Sequence, residues 1–242
     1  MNIDEVLRWL EHADEELTLV GGQAVALWEH LLGLPILTET LDIDFLGDPA
    51  QAEALAEILH YRCQIPEPSD PPPNTAVILD DNNHVVADFL GMVAGLNETD
   101  ILRRRVPVVL TGGHLVQVLH PFDCLASRLA NVMLLPGKRS PRGYDQLRAA
   151  IGVCRAYLIR LADQDRQQEA IKMANRIFDL AVSDAGKRVY FGQQIDLVLA
   201  LPEPEVFRTP AFTEENFPRQ LERVHQRRER FVLFLKRRGL LG

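Results

Sequence analysis

Long apolar runs are missing from this 242-residue sequence. None approaches the roughly 18–20 residues needed to cross a bilayer, so a membrane-spanning protein is not expected. The N-terminal stretch MNIDEVLRWLEHADEEL is acidic, whereas a secretory leader begins with basic residues. Both features lead to the expectation of a cytoplasmic protein that does not engage membranes. Cysteine is scarce: Cys63, Cys124 and Cys154 are widely spaced and make no CxxC pair. That excludes a disulfide framework or a cysteine zinc site and suits reduced thiols. The seven histidines are scattered, with no HExxH or HxH cluster, which removes the usual zinc-hydrolase pattern.

Basic residues are lacking too, but only from one part of the chain. Residues 1–100 contain 20 Asp and Glu against two basic residues, Arg8 and Arg62, a net of −18. The remainder has 14 acidic and 24 basic residues, a net of +10, so the overall −8 conceals a strong polarity. Charge sorted in this way points to a polyanionic partner such as RNA for the basic part. The alternative is a basic helical surface that balances its acidic neighbour.

The apolar pattern alternates between helical and strand periods up to about residue 120 and is almost wholly helical beyond it. Residues 3–13 have helical spacing, LTLVGG reads as a short buried strand ending in a tight turn, and QAVALWEHLLG reads as a helix. TLDIDFLG suits a strand, and Asp48-Pro49 gives the next helix its cap and first residue. After the proline-rich loop PEPSDPPPN, TAVILDDNNHVVADFLG reads as a hairpin turning at Asp80–Asn83, and VPVVL and HLVQVL as two further strands. Helices are expected over 121–134, 142–161, 164–182, 186–199 and 213–238. Trp28, beside Ala24 and Leu31 at helical spacing, is expected in the core. The expected fold is therefore α/β (α+β), a mixed sheet flanked by helices over residues 1–120, followed by a helical part over 121–242. The helix from Pro121 can also be read as packing on the sheet.

Asp42 and Asp44 lie two apart in a strand, so both carboxylates project from one face, about 6–7 Å apart. Two ionised carboxylates so close call for a cation, and hard oxygen donors suit Mg²⁺ or Mn²⁺. Ile43 and Phe45, on the other face, anchor the strand. Asp88 interrupts the apolar run VVADFLG, and a buried carboxylate is costly unless paired. Set beside the other two, it completes a three-carboxylate site able to hold two metals for in-line phosphoryl or nucleotidyl displacement. Gly21-Gly22, a turn opening a helix, offers backbone N–H groups and a helix N-terminus to phosphate.

The order of these pieces, LVGGQAVALW, then TETLDIDFLG, then HVVADFLG, resembles the DNA polymerase β-like nucleotidyltransferase superfamily. Within it the sequence is most similar to the bacterial branch that includes the AbiEii-type and MenT-type toxins, through VLHPFDCLASRLANVMLLPGKRSPRGYDQL. The resemblance spans roughly residues 15–160. It implies that Asp42, Asp44 and Asp88 bind two Mg²⁺ or Mn²⁺ ions, that Gly21 and Gly22 hold the triphosphate of an NTP, and that Arg128 clamps its outer oxygens. Asp88 would also help deprotonate the acceptor hydroxyl. Arg128 stands where relatives have lysine, Leu37-Thr38-Glu39-Thr40 stands where relatives carry an arginine before the DxD, and of the relatives' downstream acidic motif Asp145 is matched. The implied activity is transfer of a nucleotide to a hydroxyl, on RNA such as tRNA, on a protein or on a small molecule. A toxin role with an antitoxin partner is also implied. The alternative is a nucleotidyltransferase-like module that binds nucleotide or protein without turnover.

Overall fold

The computed structural model describes residues 3–13, 16–38, 40, 42–67, 74–110 and 112–239. Most of the proline-rich loop, Glu39 and Thr111, which lies between the last two expected strands, fall outside them. The chain divides into two compact units, Met1–Ala150 and Ile151–Gly242.

The first unit is built on a seven-stranded mixed sheet. Its strands in chain order are β1 (Thr18–Val20), β2 (Ile43–Leu46), β3 (Arg62–Gln64), β4 (Asn74–Leu79), β5 (Val85–Leu90), β6 (Val106–Val109) and β7 (Leu115–Val118), and their spatial order is β3-β4-β5-β2-β1-β7-β6. β1 pairs parallel with β7 and antiparallel with β2, while β2 pairs parallel with β5. The β4–β5 pair is antiparallel, as the hairpin reading predicts, and the two further strands, β6 and β7, also pair antiparallel. The order has a physical basis. β2 and β5 carry fully buried residues on one face, Ile43, Phe45, Ala87 and Phe89, and the Phe45 and Phe89 rings meet at 5.4 Å. β3 is short and largely exposed, which suits an edge.

Helices flank this sheet. α1 (Ile3–Leu10) packs on α2 (Gly21–Leu31), and α2 in turn packs on β1, β2 and α5 (Pro121–Leu134). Trp28 is 3% exposed, and its indole N–H donates to the Leu119 carbonyl at 2.8 Å, as suits a core tryptophan with its polar atom satisfied. α3 (Pro49–Leu59) covers β3 and β4. Its start is a full capping box: Asp48 accepts from the Gln51 N–H and the Gln51 side chain accepts from the Asp48 N–H. α4 (Glu98–Arg104), absent from the sequence reading, starts at an Asn97 cap and buries only Ile101. Its Arg104 makes two hydrogen bonds of 2.9 Å to the fully buried carboxylate of Asp123 on α5, the forked geometry that makes a buried ion pair tolerable.

The first unit thus extends past residue 120 and takes in α5 whole, because Cys124, Leu125, Leu129 and Val132 form a buried apolar stripe on that helix. The division falls within α6 (Pro141–Asp163) instead.

The second unit is helical. α7 (Gln167–Val182) packs on α8 (Asp184–Gln193), on α9 (Phe217–Arg237) and on a 3₁₀ turn at Leu197–Ala200. Phe178, Phe207, Phe212 and Phe217 form its aromatic core, with edge-on pairs at 4.9–5.9 Å. The helix expected over 186–199 is interrupted: Gln194 adopts a left-handed conformation (φ 54°) and its N–H caps α8. Asp196 then starts the 3₁₀ turn by accepting from the Val198 N–H. No helix among the described residues is long and apolar enough to cross a membrane.

Candidate metal centre

Asp44 and Asp88 are directly opposite one another on the parallel strands β2 and β5, and Asp42 lies just before β2. One carboxylate oxygen from each of the three approaches the others to within 4.8 Å. The backbone explains the convergence. Alternation along β2 and β5 sends Ile43, Phe45, Ala87 and Phe89 into the core and Asp44 and Asp88 to the opposite face. Parallel pairing without stagger then places the two carboxylates on neighbouring strands, whose spacing is about 4.8 Å.

The cluster is electrostatically crowded. Burial, and then the Asp42 carboxylate, push the Asp44 pKa above the ordinary range, against the pull of Arg128, Lys138 and the Gly22 backbone N–H. Asp88 is pushed up to about 7 by burial and by both other carboxylates, although the Asn74 amide donates to its Oδ1 at 2.8 Å. Three converging carboxylate oxygens, those of Asp44 and Asp88 pushed toward the protonated form by burial and by their neighbours' charge, form a donor set that fits a small divalent cation, which would relieve that repulsion.

Repulsion of this kind has a measurable sign. The folded-state value of Asp88 lies above the value of about 4 for an unfolded chain. The folded protein therefore holds the extra proton between these values, and stability falls as pH rises through about 7. Asp44 acts in the same direction. With chelator present, wild type is expected to lose more melting temperature between pH 5 and pH 7.5 than Asp88→Asn does. Mg²⁺ or Mn²⁺ should restore part of the loss at pH 7.5. Parallel pH profiles for the two proteins would contradict the crowding.

The glycine turn is fitted to this cluster. Gly21 has φ +69°, and a Cβ placed on it would lie 1.7 Å from Asp44 Oδ2. A Cβ on Gly22 would lie 2.3 Å from the Thr40 methyl. Glycine at 21 thus lets the backbone turn and lets a carboxylate lie against it. The Gly22 N–H faces Asp44, so in this structure that donor supports the carboxylate. Gln23, buried next in α2, donates from its amide to the Thr40 hydroxyl, which itself donates to the Asp42 carbonyl at 3.1 Å. These bonds tie the segment before β2 to α2.

The carboxylates, both glycines and Arg128 all line one cleft of about 540 Å³. Arg128, on α5, is only 7% exposed. Its Nη1 donates to the Gln146 Oε1 at 3.2 Å, and its Nε has no hydrogen-bond partner among the described residues. Burial lowers its pKa while Asp44 raises it. A buried guanidinium with an unsatisfied N–H beside a cleft is prepared to receive an anion. Asp145 is not brought to the cleft. It is exposed on α6 and paired with Arg148 at 2.9 Å, while the next residue, Gln146, faces the cleft.

The sequence reading did not single out Asn74, Lys138, Arg142 or Gln146, which also line the cleft. Lys138 comes from a 3₁₀ turn, Pro136–Lys138, just after α5. The available signal was the cluster PGKRSPR, cations in a proline- and glycine-bearing connection directly downstream of Arg128. No protein-family profile matches the chain, and neither does any curated protein compared with it.

Proposed function

We propose that the first unit is a metal-dependent nucleotidyltransferase that transfers a nucleoside monophosphate from an NTP to a hydroxyl acceptor. The observation that carries this reading is the convergence of Asp42, Asp44 and Asp88 on a cleft whose other charged lining is cationic, from Arg128, Lys138 and Arg142. Carboxylates for cations and cations for phosphates, facing one space of nucleotide size, match an NTP bound with its metals. The order of the motifs along the chain supports the same reading.

The chain's residues divide the work by charge. Asp42 and Asp44 would hold Mg²⁺ or Mn²⁺, with Asp88 completing the set. Bound there, divalent cations supply neutralisation of phosphate charge and activation of the acceptor hydroxyl. Arg128 and Lys138 would bind the outer phosphate oxygens and orient the leaving pyrophosphate for in-line displacement. Asp88 would help remove the hydroxyl proton as the acceptor oxygen bonds to the α-phosphorus. The bond to the β-phosphate oxygen breaks, and pyrophosphate leaves. The buried apolar faces of β2 and β5 fix where the carboxylates stand, so little rearrangement is needed. RNA is the acceptor class favoured by the basic residues downstream of residue 100.

The test is incubation with NTPs labelled at the α- or γ-phosphate, Mg²⁺ or Mn²⁺, and total RNA. Label should pass to the acceptor from the α-position only, and only with metal. Transfer of γ-label would instead indicate a kinase, and transfer in chelator would remove the metal mechanism.

Arg128 gives a second expectation. A hydrogen bond to a charged group contributes about 1.5–3 kcal/mol, so Arg128→Ala should weaken NTP binding at least tenfold in equilibrium titration. Arg128→Lys should recover part of that loss by retaining the charge without the planar fork. Equal NTP affinity in all three proteins would release Arg128 from this role.

A further inference from the structure

The second unit carries a groove, about 360 Å³ in volume, between α8 and the later turns of α9. Lys187 and Arg188 line it from α8, and Arg227, Arg230, Phe231 and Phe234 from α9. Across α8 and residues 224–238 there are eight basic residues and two acidic ones, Asp184 and Glu229. One of the eight has a structural task. Arg228 is buried, bound to Asp196 through two hydrogen bonds of 2.5 and 3.0 Å, and stacked 3.7 Å over the Tyr190 ring. It pins α9 to α8 and to the turn before Leu197, and so fixes the groove's walls.

The groove-lining cations are differently placed. Arg227 and Arg230 are exposed and make no ion pair or hydrogen bond among the described residues. Folding does not require such charges side by side, since they repel one another. Aromatic rings lie among them. Phe231 and Phe234 are roughly parallel at 6.4 Å, and Phe191 lies 5.6 Å from Phe231. Lys187 sits 5.3 Å over the Phe231 ring and Arg238 5.2 Å over Phe234. Phe234 is nevertheless 49% exposed. A half-exposed phenylalanine amid unpaired arginines fits neither a core nor an ordinary solvated helix face. A basic track with exposed aromatic faces is how proteins bind single-stranded nucleic acid, phosphates along the cations and bases on the rings.

We propose that the α8–α9 groove binds single-stranded RNA, with Arg188, Arg227 and Arg230 contacting phosphates and Phe234 stacking a base. Asp184 supplies the choice of RNA over DNA. It lines the groove at the start of α8 and is bonded to Lys187 at 2.8 Å. A carboxylate repels phosphate but accepts a hydrogen bond from a ribose 2′-hydroxyl, which DNA lacks. All these residues belong to the second unit, so the binding does not depend on the carboxylate centre. It deepens the transfer reading only by giving an RNA acceptor a place to be held.

The test uses the full chain and fluorescence anisotropy with an unstructured 12-nucleotide RNA, the same sequence as DNA, and heparin as a competitor without bases. Arg227→Ala/Arg230→Ala should weaken RNA binding at least tenfold and flatten the dependence of log affinity on log salt by about 1.4, roughly 0.7 for each phosphate that the two arginines no longer neutralise. Phe234→Ala should weaken it on the order of tenfold with the salt slope unchanged, and Phe234→Trp should restore it. Asp184→Asn should narrow the preference for RNA over DNA. Asp44→Asn should bind RNA as wild type does even if it transfers nothing, which separates this proposal from the transfer reading. The proposal is overturned by absence of RNA binding, by binding that ignores both the arginine pair and Phe234, or by heparin displacing RNA while Phe234→Ala binds as wild type.

Discussion

Asp42→Ala/Asp44→Ala should reduce metal-dependent nucleotide transfer on the order of 10³-fold or more while leaving the fold intact. The magnitude follows from the task. Charge neutralisation at a phosphoryl centre contributes several kcal/mol to the transition state, and about 4 kcal/mol is a thousandfold in rate. The direction on stability is the less obvious part. Asp44 is disfavoured as an anion by burial and by Asp42, so removing both carboxylates relieves repulsion that the metal-free protein otherwise bears. In chelator at pH 7.5 the double variant should melt at or above the wild-type temperature, and Mn²⁺ should no longer raise it. Such an outcome would accord with the proposed chemical role of these residues. Rates from α-labelled NTP and melting curves with and without metal decide the matter. Transfer that survives the double substitution at wild-type rate would sink the mechanism, and a fall in metal-free melting temperature would show the carboxylates to be structural.

Gly21→Ala should come close to that loss of activity by a steric route. The residue has φ +69°, where an alanine costs about 1–2 kcal/mol. The larger effect is the new methyl group, placed 1.7 Å from Asp44 Oδ2. Either the turn opens or Asp44 leaves the cluster, and both dismantle the three-oxygen arrangement. Gly33→Ala provides the control, since its φ is +67° and nothing lies within 4 Å of its added Cβ. Strain is common to both variants, and the collision belongs to Gly21 alone. Gly21→Ala should therefore melt lower than Gly33→Ala and lose the Mn²⁺-induced rise in melting temperature that Gly33→Ala keeps. Identical behaviour of the two variants would mean that Asp44 has room to spare.

These substitutions concern residues visible in the sequence, but for unequal reasons. Asp44 and Asp88 stand out because each interrupts an apolar strand, with alternation assigning them to the faces opposite Phe45 and Phe89, and Asp42 stands out as the carboxylate two residues before Asp44. What the sequence does not contain is the pairing of β2 with β5. A helix, β3 and β4 lie between them along the chain, and nothing local reports that Asp44 lies opposite Asp88. The resemblance to a known order of motifs supplied that adjacency as an expectation.

Other parts were illegible for local reasons. β3 has three residues and α4 has seven, too few for a period to show. The stop at Gln194 depends on a non-glycine residue adopting φ 54°, which composition does not announce. Lys138 sits in a turn without periodicity, so its approach to Asp44 depends on where α5 ends. The division between units falls inside a continuous helix, where no linker composition marks it. Asp145 shows the opposite case. It matches a motif, yet helical geometry turns it to Arg148 and sends its neighbour Gln146 to the cleft.

The central position of β2 and β5 has a kinetic consequence. Strands hydrogen-bonded on both sides are among the last parts of a sheet to open. Carboxylates mounted on and beside them keep their relative positions through the breathing of edges and loops. Were Mg²⁺ the ion, as proposed, it would meet donors already in place, and the slow event in its capture would be the shedding of its own hydration water, which Mg²⁺ gives up reluctantly.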